Sequence, residues 1–202
     1  MRPLTKEDVM PPEEYERRRE SFRRRIIELK RKRRISVGDR ITLVFENRDT
    51  IRFQVQEMLR AEHIVDPAKI QHELDVYNAL IPGDGELSAT LFIEITDSDR
   101  IQTDLDALQG LDRGQVVSLK AGGHTVHGEF EGGRSKEDKI SAVHFVAFRP
   151  TSEWIRELTH GHAGAVVAIA HPSYRREANV PGDLREQWLE DLTVAGGATG
   201  GG

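Results

Sequence analysis

A chain of 202 residues with 37% hydrophobic content can bury a core without covalent staples, because a domain of this size removes roughly 70% of its unfolded surface from water. It has no cysteine, which excludes disulfides, thiolate zinc sites, a cysteine nucleophile and any iron–sulfur cluster ligated by this chain. The net charge of −5 conceals an asymmetry: eleven Lys and Arg against Glu20 and Glu28 give +9 between Arg17 and Arg34, leaving −14 on the remainder, an acidic body with one basic arm.

MRPLTKEDVMPPEEYERRR lacks the apolar stretch of a secretory signal. The longest apolar run, Ala163–Ala170, falls far short of the roughly 20 residues that cross a bilayer. The expectation is a cytoplasmic protein without membrane association.

Thr5 and Asp8 suggest a short capped turn, punctuated by Pro11-Pro12. From Pro12 to about Arg34, Tyr15, Phe22, Ile26 and Leu29 recur at helical spacing. Val37-Gly38-Asp39 reads as a turn and Ile41–Glu46 as a strand. Asn47 or Asp49 can cap a helix carrying Ile51, Val55, Met58 and Leu59, and Asp66-Pro67 opens another carrying Ile70, Leu74, Tyr77 and Ile81. Glu86–Thr96 alternates as a half-buried strand does, and a helix through Ile101, Leu105 and Leu108 follows. Gln115–Ala121 and His124–Glu131 flank Gly122-Gly123 as a hairpin. Lys139–Phe148 and Gly164–His171 read as strands, with a short helix around Trp154–Leu158 between them. An amphipathic helix with Leu184, Trp188 and Leu192 ends the ordered pattern.

Helices gathered in the first half and hairpin-linked strands predict an α+β fold. The expected core is a mixed or mainly antiparallel sheet of about five or six strands, packed with helices on one face, plus a basic N-terminal helix. The expected division is a basic helical extension over 1–35, one α+β domain over 36–193 and a Gly-rich tail over 194–202 that would not order itself.

Polar groups interrupt the apolar stripes. Glu62 continues the stripe from Ile51 and Met58, Glu73 sits at the edge of the next, and Asn78 follows Tyr77. A buried carboxylate is costly unless paired, protonated or bound to metal. With His63, His72 or His144 nearby, Glu62 and Glu73 form a candidate site for iron, manganese or zinc. The Glu-x-x-His pairs of helical di-iron sites are absent, and the favoured account is structural: Glu62 at a fraying helix end and Glu73 paired with a neighbouring Lys or Arg. His127-x-Glu129 shares a strand face and His160-Gly-His162 sits in a loop, but no spacing matches a recognised zinc signature.

The basic helix offers Arg17, Arg18, Arg24, Arg25, Lys30, Arg31 and Arg33 as contacts for an acidic partner or a polyanion. Its charges ring the helix and the body is acidic, which disfavours nucleic acid relative to a solvated helix or a protein partner. The loops GDGE, AGGH and EGGRSKED lack phosphate-binding spacing and read as turns, and no catalytic triad can be picked out.

The runs LTKEDVMPPEEYERRR, ENRDTIRFQVQEMLRAE, YNALIPGDGELSATLFIEI and GRSKEDKISAVHFVAFRP together resemble an uncharacterised bacterial domain-of-unknown-function family, over most of the chain up to about His171. That family's genes often stand beside those of rubrerythrin-like di-iron proteins and iron–sulfur oxidoreductases. The resemblance therefore implies an accessory part in an oxidative-stress or electron-transfer system, with a redox protein as partner. It carries no catalytic residue over to this chain. Two readings stay open, a redox accessory protein and a metal-binding protein or enzyme, with nucleic-acid binding third; self-association is compatible with each.

Overall fold

The computed structural model describes residues 1–132, 140–161 and 164–193; His162, Lys139 and the tail 194–202 lie outside them. Helix α1, Pro12–Lys32, starts on a proline with Glu13 and Glu14 in its first turn and ends on Lys30, Arg31 and Lys32, complementing the helix dipole at both ends. It buries Tyr15, Phe22 and Ile26, the stripe the spacing predicts. Helix α2, Arg48–Ala61, is closed by reciprocal hydrogen bonds: Thr50 N–H donates to Asn47 Oδ1 at 3.0 Å and Asn47 N–H to Thr50 Oγ1 at 2.9 Å. Helix α3, Pro67–Asn78, is capped by Asp66, which accepts from the Ala68 and Lys69 N–H groups.

Eight strands among the described residues form one sheet: β1 (Arg34–Val37), β2 (Ile41–Glu46), β3 (Leu87–Ile93), β4 (Val117–Ala121), β5 (His124–Phe130), β6 (Val143–Phe148), β7 (Ala165–His171) and β8 (Tyr174–Asn179). The order is β1-β2-β3-β6-β5-β4-β7-β8, and every neighbouring pair is antiparallel. The sheet curls until its two ends meet, and Tyr174 of β8 donates its phenol to the Val37 carbonyl of β1 at 2.8 Å. The short helix α4 (Ile101–Asp106) precedes β4. Helices α5 (Ser152–His160) and α6 (Gly182–Thr193) add fully buried Trp154 and Trp188 to the core, where Trp188 lies 4.7 Å from the Phe45 ring.

The expectation of five or six strands packed with helices on one face is therefore corrected to an eight-stranded, nearly closed antiparallel barrel with six helices among the described residues. The strands left unread are β1 and β8, the two that close it. RISV is the end of a long basic run and alternates exposed and buried over only four residues, while YRREAN buries only its tyrosine. Neither carries enough apolar alternation to announce a strand. Both are held by register and by Tyr174.

Residues 1–11 lie as a strap across α2 and α3. Asn78 accepts from Leu4 N–H at 2.7 Å and donates to Leu4 C=O at 2.9 Å. Gln56 treats Met10 the same way, at 2.9 and 3.1 Å. Between these clamps Leu4 joins Ile51, Val55, Leu59, Leu74 and Leu80 in a second apolar cluster. Each fully buried side chain of that kind contributes roughly 1.5–3 kcal/mol.

Candidate binding faces of the helical layer

The strap, the start of α1, the end of α2 and the start of α3 enclose a cleft of about 660 Å³. Its walls are mainly apolar, with Met10, Pro11, Leu59, Ile64, Val65 and Ile70 among them. Val65, also in the lining, is 69% exposed. Lys6, Glu16, Arg60 and His63 supply polar groups, and Arg60 Nε donates to Glu16 at 2.6 Å. A volume in the few-hundred Å³ range, apolar walls and a few polar groups are the usual make-up of a small-molecule site.

Behind the cleft, α1 and α2 are joined by a three-residue network. Arg19 grips Glu57 with two parallel hydrogen bonds of 2.8 and 2.7 Å, and the Tyr15 phenol donates to the same carboxylate at 2.6 Å. The Arg19 hydrogen bonds hold Glu57 well below the ordinary carboxylate range, at about 2. Burial, together with the Glu57 carboxylate, pushes the Tyr15 phenol well above its ordinary value. Both groups are fixed in one protonation state across the physiological range, so the network positions helices and moves no proton.

The other face of α1 is the basic one, and folding sorts the eleven cations of residues 17–34, nine of them on α1 and two, Arg33 and Arg34, just beyond it. Arg19, Arg25, Arg33 and Arg34 turn to acids elsewhere in the fold, namely Glu57, Asp49, Asp191 and Glu94. Arg33 is fully buried and so takes no part in any surface contact. Arg18, Arg24 and Arg31 pair along the helix with Glu14, Glu20 and Glu28 at 3.2, 4.0 and 3.5 Å, exposed pairs worth little. Arg17, Arg23, Lys30 and Lys32 make no ion pair among the described residues. Arg17, Arg24 and Arg31, seven apart and all exposed, form one line on the side of α1 opposite Tyr15 and Phe22.

The candidate metal residues scatter. Glu62 caps the C-terminus of α2 and is exposed, as are His63 beside it and His72 on α3. Glu73 is half-buried on α3. His144 lies in the barrel, 1% exposed, with Nε2 2.7 Å from the Ser141 carbonyl oxygen and Nδ1 4.0 Å from Asp112. Among the described residues no three His, Asp or Glu side chains come close enough to hold an ion. Of the three inward polar positions, Asn78 is the one with a resolved task, the clamp on Leu4. His127 and Glu129 are exposed on β5, where Glu129 pairs with Arg149.

Sequence reasoning did not find Tyr15–Glu57–Arg19 or Gln56–Met10. Each pair is about forty residues apart along the chain, and only the α1–α2 packing joins them. The available signal was Gln56, polar next to Val55 on the buried side of α2.

The family described as "Protein of unknown function (DUF3501)" matches residues 3–192. The fold is also that of a crystal structure of a novel protein of unknown function from Burkholderia pseudomallei K96243, with a TM-score of 0.87 and 31% identity, covering 95% of this chain and 100% of that one. No curated protein matches. Among the described residues, no helix is long and apolar enough to cross a membrane.

Proposed function

The chain belongs to the DUF3501 family, and we propose for it the role of a cytoplasmic accessory protein that docks a redox partner on the outward arginine line of α1. The partner is of the rubrerythrin-like or iron–sulfur kind, which the sequence resemblance implies; with no cysteine in this chain, any cluster belongs to that partner. The observation that carries the reading is the placement of Arg17, Arg24 and Arg31 on a helix whose opposite side is locked into the fold by Tyr15, Phe22 and Ile26. A rigidly presented row of cations speeds encounter with an acidic surface and fixes its orientation more than it adds affinity.

The same sorting of charge weighs against nucleic acid. A polyanion site needs cations free to neutralise successive phosphates, and here four of the eleven are committed to acids of the body. A metal site on Glu62, Glu73, His63, His72 and His144 is outside this reading, since the fold spreads them over two helix surfaces and a barrel strand.

The test is binding of a purified rubrerythrin and a purified ferredoxin to the immobilised chain, at roughly 0.05 M and 0.5 M salt. Binding that weakens with salt and disappears in the Arg17→Glu/Arg24→Glu/Arg31→Glu variant is the expected outcome. Equal binding by that variant, or none by the natural chain at low salt, rejects the reading.

A further inference from the structure

The cleft under the strap is not used by this docking reading, and two observations on it point to a ligand. The first is charge. Its lining carries two cations, Lys6 and Arg60, against one carboxylate, Glu16, which Arg60 already holds. Asp66, adjoining the cleft but outside its lining, accepts from the Ala68 and Lys69 N–H groups, and its carboxylate also acts on Lys6 from that side. The lining itself carries one more cation than carboxylate, in an otherwise apolar cavity.

The second observation is the backbone at His63, whose φ is +52°. Residue 63 ends α2 in a paired closure: Ile64 N–H donates to Leu59 C=O at 2.9 Å and His63 N–H to Arg60 C=O at 3.3 Å. Glycine adopts this left-handed position without strain, whereas a residue with a Cβ costs roughly 1 kcal/mol more. Here the strained position puts an imidazole at the lining of the cleft, and neither it nor the Lys6 ammonium makes a hydrogen bond or ion pair among the described residues. Strain retained beside a cavity is grounds for a functional hypothesis.

We propose that the cleft binds a small apolar carboxylate. Its chain or ring lies along Met10, Leu59, Ile64 and Ile70, and its carboxylate is held by Lys6 and His63. The cavity of about 660 Å³ is of the size that encloses such a molecule. Gln56 and Asn78 fix the strap that forms one wall, so little ordering is left to be done on binding. The chain's own tail is a poor occupant: VAGGATGGG offers one valine and two alanines to a cavity lined by much larger apolar groups. The site is independent of the arginine line on the far side of α1, and either can fail without the other.

Isothermal titration of the full chain with decanoate and 1-naphthoate tests it, with decanol as the uncharged control. Lys6 and His63 are exposed and outside the core, so the Lys6→Met/His63→Gly variant is expected to fold, with a thermal midpoint at or above that of the natural chain. The expected result is saturable binding of at least one acid at one site per chain, weakened roughly tenfold or more in the variant. Uptake of neither acid, equal affinity in the folded variant, or decanol bound as tightly as decanoate overturns the proposal. So does a dimer that covers Ile64 and Val65 and is not displaced by either acid.

Discussion

Tyr174 and Val37 close the barrel. The phenol of Tyr174, at the start of β8, donates to the Val37 carbonyl at the end of β1 and accepts from Arg40 N–H at 3.1 Å. Gly38 lies between, at φ +75°, and a Cβ built there would collide with the Tyr174 hydroxyl and the Arg176 side chain. The turn therefore needs glycine twice over, for its backbone angle and for the approach of the ring. Tyr174→Phe is expected to cost about 1–3 kcal/mol, the loss of the hydrogen bonds to the Val37 carbonyl and from Arg40 N–H, with both backbone groups left without this partner. Gly38→Ala is expected to cost roughly 2–3 kcal/mol, by strain plus displacement of the ring. In urea unfolding the double variant should fall short of the sum, because both act on one contact. Full additivity would mean that the ring does not depend on the glycine.

This contact also explains what the sequence could and could not convey. The helices were legible because their signals are local: Pro12, the Asn47–Thr50 box and Asp66-Pro67 mark their starts, and the stripes mark their buried faces. Strands such as Leu87–Ile93 announce themselves by alternation. Barrel closure rests instead on one tyrosine meeting a turn 137 residues away, and no local pattern encodes that. The binding faces behaved likewise. Arginines seven apart are visible as a row, but only packing reveals that Arg19, Arg25, Arg33 and Arg34 are spent on the body's own acids. Glu62 continues the α2 stripe by periodicity, but the helix ends there: Glu62 is its C-cap and is exposed, which fits the frayed-end reading.

The strap gives a second prediction. Asn78 supplies both a donor and an acceptor to Leu4, a pairing that Ala cannot replace, and Leu4 is buried in the second apolar cluster. Asn78→Ala is expected to lower stability by about 1–3 kcal/mol. More specifically, hydrogen exchange over residues 1–10 should speed up while the barrel strands keep their protection. Asn78→Asp keeps an acceptor for Leu4 N–H but loses the donor to its carbonyl, so an intermediate effect is expected. Unchanged exchange in the Ala variant would show that the strap is held by Leu4 packing alone.

Acid sensitivity follows from Glu57 and Asp8. The Arg19 hydrogen bonds hold Glu57 at about 2. Burial pushes Asp8 up, but hydrogen bonds from Arg48 and Thr5 outweigh it and bring it to about 2 as well. Folded-state values below the unfolded ones mean stability that is fully present above about pH 4.5 and lost as pH falls toward 2. Tyr15, raised in the fold, adds a contribution that is lost only as pH rises above its ordinary value, so it plays no part in acid. Glu57 alone contributes on the order of 2–3 kcal/mol. Glu57→Gln should therefore be clearly less stable than the natural chain at neutral pH, with the gap narrowing near pH 2. Urea midpoints at the two pH values check it, and a constant gap would show that Glu57 contributes through packing and not through its charge.

Arg33 and Asp191 supply the last prediction, because here the geometry reverses what the basic run suggests. Arg33 stands among surface arginines in the sequence, yet its guanidinium is buried between α1 and α6. There it pairs with Asp191 and donates to the carbonyls of Phe45 and Glu46 at 2.7 and 3.1 Å and to Gln187 at 3.0 Å. Burial pushes the Asp191 carboxyl up, and Arg33 pulls it back. Removing one partner strands the other charge without water, so Arg33→Met or Asp191→Leu alone should cost about 3–5 kcal/mol. Replacing both removes the desolvation problem together with the attraction, and the double variant should recover most of the loss, within about 1–2 kcal/mol of the natural chain. The part not recovered reflects the Phe45 and Glu46 carbonyls, which lose their donor in either case. A double variant as unstable as the sum of the singles would mean that those carbonyl bonds to β2, and not the ion pair, hold the end of α1 against the barrel.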